Sequence, residues 1–148
     1  MKTEIQPPTI FAALLVLSAA LHYSYPTRQV ADPPWAFVGF LLIGLGVILN
    51  LWADSLFKRR KTTVKPREMP TALVISGPFR ISRHPMYLGM AAILLGEAVV
   101  FGSLASFSFP LIFAGLMEAL FIRREEEMLE EAFGEEYLDY RRRVRRWI

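Results

Sequence analysis

The sequence predicts an all-α fold: an integral membrane bundle of four transmembrane helices followed by a cytoplasmic amphipathic C-terminal helix. Three observations predict it. Apolar residues make up 53% of the 148, and mean hydropathy is +0.33, high for a chain whose charges would have to cover a soluble surface. Apolar runs of roughly 16 to 22 residues recur, near the length that crosses a bilayer. Lysine and arginine are concentrated in two segments and almost absent from the other connections. The helices of a soluble bundle would carry a polar stripe instead.

The first span covers about residues 10–25, preceded by Pro7 and Pro8 and closed by Pro26. A cleaved signal peptide is the competing reading, but the preceding Met1-Lys2-Thr3-Glu4 carries little net positive charge. The second span covers about 35–57, introduced by Pro33 and Pro34, where a missing N–H costs little. Its Gly39, Gly44 and Gly46 would let a neighbouring helix approach closely. The third covers about 85–101 and the fourth about 104–122. Only Gly102-Ser103 separates them, which predicts a tight antiparallel hairpin, and Pro110 predicts a kink in the fourth. Residues 1–148 are read as a single domain.

Orientation follows from the basic residues. The 58–84 loop carries Lys58, Arg59, Arg60, Lys61, Lys65, Arg67, Arg80 and Arg83. The tail, 123–148, carries Arg123, Arg124, Arg141, Arg142, Arg143, Arg145 and Arg146. The other connections hold only Arg28. Loop, tail and N-terminus are therefore expected in the cytoplasm, at the inner membrane if the source is prokaryotic. Tyr23, Tyr25 and Trp35 would mark the outer interface and Trp52 the inner one.

The tail has its own pattern. Gly134 ends a polar helix. Beyond it Tyr137, Tyr140, Val144 and Trp147 recur at helical spacing, with Glu135 and Glu136 leading and arginines trailing, as the helix dipole favours. Such a helix lies on the membrane surface or folds back over the bundle. Anionic lipid headgroups would account for its basic run.

The chain has no cysteine, which excludes disulfides, thiolate metal sites and cysteine nucleophiles. No metal site and no nucleic-acid partner is expected. His22 reads as an interfacial residue, and pairing it with His84 around a haem fails because the two lie at opposite ends of their spans. Glu97 and Glu118 fall within spans, where a carboxylate is functional by default, although a structural role suits Glu97 equally. Asn50 and Asp54 either reach the inner-face pocket or mark the interface.

Arg83-His84 opens the third span and Glu125-Glu126-Glu127 follows the fourth. A hairpin brings both clusters to the same depth at the inner face. Each residue alone has a bland reading: a snorkelling arginine, a capping histidine, a solvated glutamate face. Together, "LVISGPFRISRHPMYLG" (73–89) and "EEEMLEEAFGEEYLDYRRRV" (125–144) resemble the isoprenylcysteine carboxyl methyltransferase and phospholipid methyltransferase superfamily of integral membrane enzymes. The resemblance covers about residues 62–148.

The resemblance implies S-adenosylmethionine as cofactor, with S-adenosylhomocysteine as product. It implies that Arg83, His84, Tyr87 and Gly89 help form the cofactor pocket, with Leu73, Val74, Gly77 and Phe79 near the adenosine and the Glu-Glu pair at Glu125 and Glu126. Tyr137, Tyr140 and Arg143 match positions that close the pocket and face the substrate. Glu126 would meet positive charge or ribose hydroxyls, and Arg83-His84 the donor's carboxylate. The expected partners are the lipid bilayer and a lipid-like or hydrophobic acceptor: an isoprenylcysteine-type carboxylate, a phospholipid amine or a small thiol. A carboxylate needs no base, and Arg143 would orient it. An amine must lose a proton, to His84 or a glutamate. The alternative from another class is a non-enzymatic membrane module that binds anionic lipid or a protein partner through its basic tail.

Overall fold

The computed structural model describes residues 5–25, 34–62 and 68–148. Residues 1–4, Pro26, Arg28, Pro33, Lys65 and Arg67, to which the sequence assigned boundary or orientation roles, lie outside them. The described residues form helices and no strand: α1 (Pro7–Ser24), α2 (Ala36–Arg60), a 3-10 turn (Gly77–Arg80), α3 (Pro85–Phe101), α4 (Ser108–Met117), a π-helical stretch (Glu118–Ile122), α5 (Arg123–Phe133) and α6 (Glu135–Arg143). α1 and α2 are long and apolar enough to cross a membrane. α2 buries only Gly39, Gly46 and Ala53 and leaves Phe37, Leu41, Ile48 and Leu51 exposed, the reverse of a core helix in a soluble protein. α3 is apolar but shorter, at 17 residues.

Two expectations change in the fourth apolar segment. α3 stops at Gly102, which takes the left-handed conformation (φ 61°), and α4 begins only at Ser108. The connection therefore spans 102–107 and is not a two-residue hairpin. Pro110 interrupts no helix, because it sits in the first turn of α4, where backbone N–H groups lack helical partners anyway. The irregularity falls eight residues later, in the π stretch.

The closest helix packing joins α2 to α3, which run antiparallel. A Cβ on Gly39 would lie 2.6 Å from the Gly96 carbonyl oxygen, and one on Gly46 would lie 2.5 Å from that of Gly89. A backbone-to-backbone approach this tight admits only glycine. Gly44 points into open space and takes no part. Asn50 donates to the Gly46 carbonyl at 2.9 Å and packs over Gly89. Asp54 pairs with Lys58 at 2.5 Å on the α2 surface.

Two apolar clusters complete the packing. In the first, Tyr87, Met90, Leu94, Phe113, Met117, Phe121 and Ile122 pack with Ile10, Phe11, Leu14 and Leu15 of α1, so α1 is built into the bundle. The second, at the basic end, joins Ala53 of α2, Val74 and Phe79 of the 68–84 segment, and Tyr137, Tyr140 and Val144. The tail thus folds back over the bundle. Helix α6 ends at Arg143, and Val144 is extended (φ −122°, ψ 130°). Trp147 therefore lies beyond the helix whose spacing it was expected to share, and packs on the first cluster. At the other end of the bundle His22 stacks on Phe101 at 4.4 Å, which suits the interfacial reading.

Gly46→Val and Gly89→Val should each cost about 1–3 kcal/mol of stability, because neither backbone can retreat without breaking the α2–α3 contact. Gly44→Ala should leave stability unchanged or raise it slightly. Thermal unfolding in detergent checks this, and equal loss in all three variants would contradict the close-approach account.

Candidate active site

The site is assembled where the 68–84 segment, the start of α3, the start of α5 and the tail meet. Pro85 shapes the start of α3. It disfavours helical backbone at the preceding residue, so His84 is non-helical (φ −125°, ψ 60°) and its ring is presented at the helix mouth. Pro85 itself occupies the first helical position, where it fits.

Glu126 is the centre of the polar network. Its Oε1 accepts from Arg83 Nε (3.1 Å) and Nη2 (2.8 Å) and from Arg146 Nε (3.0 Å). His84 Nε2 lies 3.4 Å from the same oxygen. Oε2 accepts from Arg146 Nη2 at 2.5 Å. Arg83 also donates through Nη1 to the carbonyls of Arg141 (3.2 Å) and Val144 (2.9 Å). Its backbone N–H reaches the Arg145 carbonyl at 3.0 Å, and Ser82 Oγ donates to the Arg146 carbonyl at 3.0 Å. The Arg-His block and the tail are thus sewn together around one buried carboxylate.

His84 has a carboxylate at each ring nitrogen: Nδ1 lies 3.4 Å from Glu125 Oε2, and Nε2 faces Glu126. Its ring stacks on Tyr87 (5.7 Å, 11° between planes), whose hydroxyl donates to Glu125 Oε1 at 2.5 Å. Burial opposes the charged imidazole, but the two glutamates outweigh it and raise its pKa above the usual value. Folding therefore favours the imidazolium. That stabilisation is complete below about pH 6.5 and is lost as pH rises through the raised pKa. Glu126 shows the mirror case: burial opposes its charge, and hydrogen bonds from His84, Arg146 and Arg83 hold its carboxyl well below the usual range.

The π stretch helps to align the acidic residues. Glu118 and Glu126 would stand roughly 80° apart around an uninterrupted α-helix. A π turn absorbs about one residue and brings them near a common face. Arg146 spans both, pairing with Glu118 through Nη1 as well as with Glu126.

Beside this network lies a cavity of about 260 Å³. Of the residues expected at a cofactor pocket, Leu73, Val74, Phe79, Arg83, His84, Tyr87 and Glu125 line it, as does Tyr140, whose hydroxyl donates to the Phe79 carbonyl at 2.7 Å. Met86, Met90, Met128 and Leu129, with Pro7 and Pro8, add an apolar part to the lining.

Five expected residues are placed elsewhere. Glu126 lies behind the wall, with both oxygens engaged by arginine. Gly89 faces α2. Gly77 (φ 61°) packs against Trp52 and Leu56. Tyr137 is fully buried behind the wall; burial pushes its phenol up to about 12. Its hydroxyl has no hydrogen-bond partner among the described residues. Arg143 is exposed in the last turn of α6, because the chain turns extended at Val144 and sends Arg146 inward in its place. Nothing in "RRRVRR" marks which arginine turns in. The methionines were equally hidden, since a buried methionine reads as ordinary core. Among the described residues no group of three or more His, Cys, Asp and Glu side chains is arranged to hold a metal ion.

The fold is similar to that of the eukaryotic intramembrane Ras methyltransferase ICMT (isoprenylcysteine carboxyl methyltransferase), with a TM-score of 0.70 over all of this chain and 53% of that one, at 23% identity. The sequence is 31% identical to the cobalt-zinc-cadmium resistance protein CzcN of Cupriavidus metallidurans over 72% of this chain and 45% of that protein. It is 29% identical to the nickel-cobalt-cadmium resistance protein NccN of Alcaligenes xylosoxydans over 76% and 51%. The chain thus spans about half the length of these two relatives. The family model for phospholipid methyltransferase matches residues 35–136, and on that match the chain belongs to the phospholipid methyltransferase family.

Proposed function

We propose that the protein is a membrane methyltransferase that moves a methyl group from S-adenosylmethionine to a hydrophobic acceptor at the cytoplasmic face. The observation that carries this reading is the cavity itself. Its lining combines polar and charged residues, His84, Tyr87 and Glu125, with apolar ones, Val74, Phe79, Met86, Met90 and Met128. The donor, when bound, supplies an electrophilic methyl on a sulfonium.

The residues present fit such a guest. Glu125 can meet the donor's ammonium or ribose hydroxyls, with Tyr87 orienting it. His84, with its ring nitrogens facing Glu125 and Glu126, holds Glu125 in place at the cavity. Leu73, Val74 and Phe79 offer an apolar bed for the adenine. Arg83 contributes by fixing the tail, since most of its donors are engaged. The methionines form a deformable surface suited to an acceptor arriving from the lipid. Proximity and alignment then do most of the chemical work.

The charge states bear on the acceptor. Glu126 is held ionised with both oxygens engaged by arginine, and both ring nitrogens of His84 face carboxylates, so neither is free to take a proton from an ammonium. This favours an acceptor that already presents a lone pair, a carboxylate or a thiolate, over a phospholipid amine. The proposed topology has four spans, α1, α2, α3 and the α4–π segment, with both termini cytoplasmic and, in a prokaryote, in the inner membrane. Pro7, Arg60, Pro85 and Arg123 would all lie at the inner face.

Calorimetry with S-adenosylhomocysteine on the detergent-purified protein tests the donor site. Wild type should bind, and His84→Ala, Glu125→Gln and Tyr87→Phe should each bind at least about tenfold more weakly, or 1.4 kcal/mol. Absence of binding to folded wild type would sink the reading and return attention to a lipid-binding module. Glu126→Ala should act on the fold first, costing about 3–5 kcal/mol by leaving Arg83 buried without its partner; an unchanged unfolding temperature would contradict this.

Because the chain lacks cysteine, single substitutions report topology. Lys61→Cys and Glu135→Cys should react with a membrane-impermeant thiol reagent from the cytoplasmic side, and Ser24→Cys and Leu104→Cys from the opposite side. Labelling of all four from one side would exclude the four-span arrangement.

A further inference from the structure

Arg146 stands outside every motif that pointed to the site, yet its guanidinium binds the carboxylate that faces His84. We propose that Arg146 is a positioning residue for His84: by sharing Glu126 with Arg83, it limits the hold of that carboxylate on the imidazole proton and so sets the charge of the ring that faces the cavity. The functional meaning of this rests on the reading of the cavity as a methyl-donor pocket. The geometry does not.

The groups around His84 can be enumerated. Glu125 faces Nδ1 from α5 at 3.4 Å, and Glu126 faces Nε2 from the same helix at 3.4 Å. Tyr87, one turn along α3, stacks on the ring. Arg83, its chain neighbour, binds the Glu126 oxygen nearest the imidazole. Arg146 reaches that oxygen from the tail at 3.0 Å. Glu68 and Tyr140 line the same cavity. Beyond Arg146 stands Glu118 of the π stretch, its second partner.

Two carboxylates draw a proton onto His84, and two guanidinium groups oppose them through one shared oxygen. Removing Arg146 takes away a nearby positive charge and frees Glu126 Oε2, so the carboxylate turns its charge towards the imidazole. Removing Glu118 does the reverse, because Arg146 is then left with Glu126 alone. The backbone ties of the tail, from Arg83 N–H to the Arg145 carbonyl and from Ser82 Oγ to the Arg146 carbonyl, need no Arg146 side chain. The tail therefore has a means of staying docked when that side chain is shortened.

The test is an NMR pH titration of the full chain in detergent micelles, with labelled histidine rings. The chain has only two histidines, and His22→Gln assigns the signals. Arg146→Gln should raise the His84 midpoint by roughly one pH unit, the scale of one charge lost a few ångströms away in a partly screened site. Arg146→Lys, which keeps the charge, should restore most of the wild-type midpoint. Glu118→Gln should lower it. A role confined to fastening the tail predicts the opposite for Arg146→Gln: a loosened site lets the midpoint fall towards that of free imidazole. That fall, or an unchanged midpoint, overturns the proposal. Should Arg146→Gln fail to fold, Glu118→Gln decides: a lower midpoint supports the proposal and an unchanged one overturns it. No donor is needed, so failure here is distinct from failure of the methyltransferase reading, which the calorimetry measures on wild type.

Discussion

Burial of the Glu126 carboxylate constrains everything at the basic end of the bundle. Its side chain is 6% exposed and that of Arg83 is 9% exposed. An ionised carboxylate at such a position is tolerated only when paired and hydrogen-bonded, and three cationic side chains meet there. They come from two stretches, Arg83-His84 at the mouth of α3 and Arg146 in the tail, and the carboxylate itself comes from α5. The carboxylate can be satisfied only if all three stretches are in place. It therefore acts less as a ligand than as the condition for assembling the wall that faces the cavity.

The rest of the bundle keeps that wall in register. Where α2 meets α3, paired glycines bring the two backbones together, which fixes the height of Pro85 and His84 relative to the end of α2. Phe57 of α2 then meets Phe79 edge to face at 5.3 Å, placing the 3-10 turn over the site. The π stretch turns the following helix so that Glu125 and Glu126 flank His84. Packing inside the bundle and charge at its edge thus describe one assembly.

A division of labour follows between the two neighbouring glutamates. Glu125, with its tyrosine partner, faces the cavity. Glu126, one residue on and about 100° around the helix, faces the arginines. A tandem pair lets a single helix serve structure and pocket at once, and holds between them an imidazole whose charge depends on both. The exposed arginines of the tail, Arg141, Arg142, Arg143 and Arg145, remain on the outer surface, where anionic headgroups would attract them.

The sequence by itself determined the helical class, the extent of α3, the close contacts of α2 at Gly39 and Gly46 though not at Gly44, and the convergence of the Arg-His and Glu-Glu blocks. These are carried by local signals: hydropathy over a window, proline at a helix start, glycine where backbones touch, and motifs with fixed spacing. Only the tertiary structure decided which glutamate faces the cavity, that Arg146 and not Arg143 turns inward, and that Gly89 serves helix packing. A one-residue step on a helix moves a side chain by about 100°, and neither the π stretch nor the extended turn at Val144 leaves a mark in residue type. The inward arginine was hidden for the same reason: the five arginines of "RRRVRR" are chemically alike, and only the place where the backbone leaves the helix selects one of them.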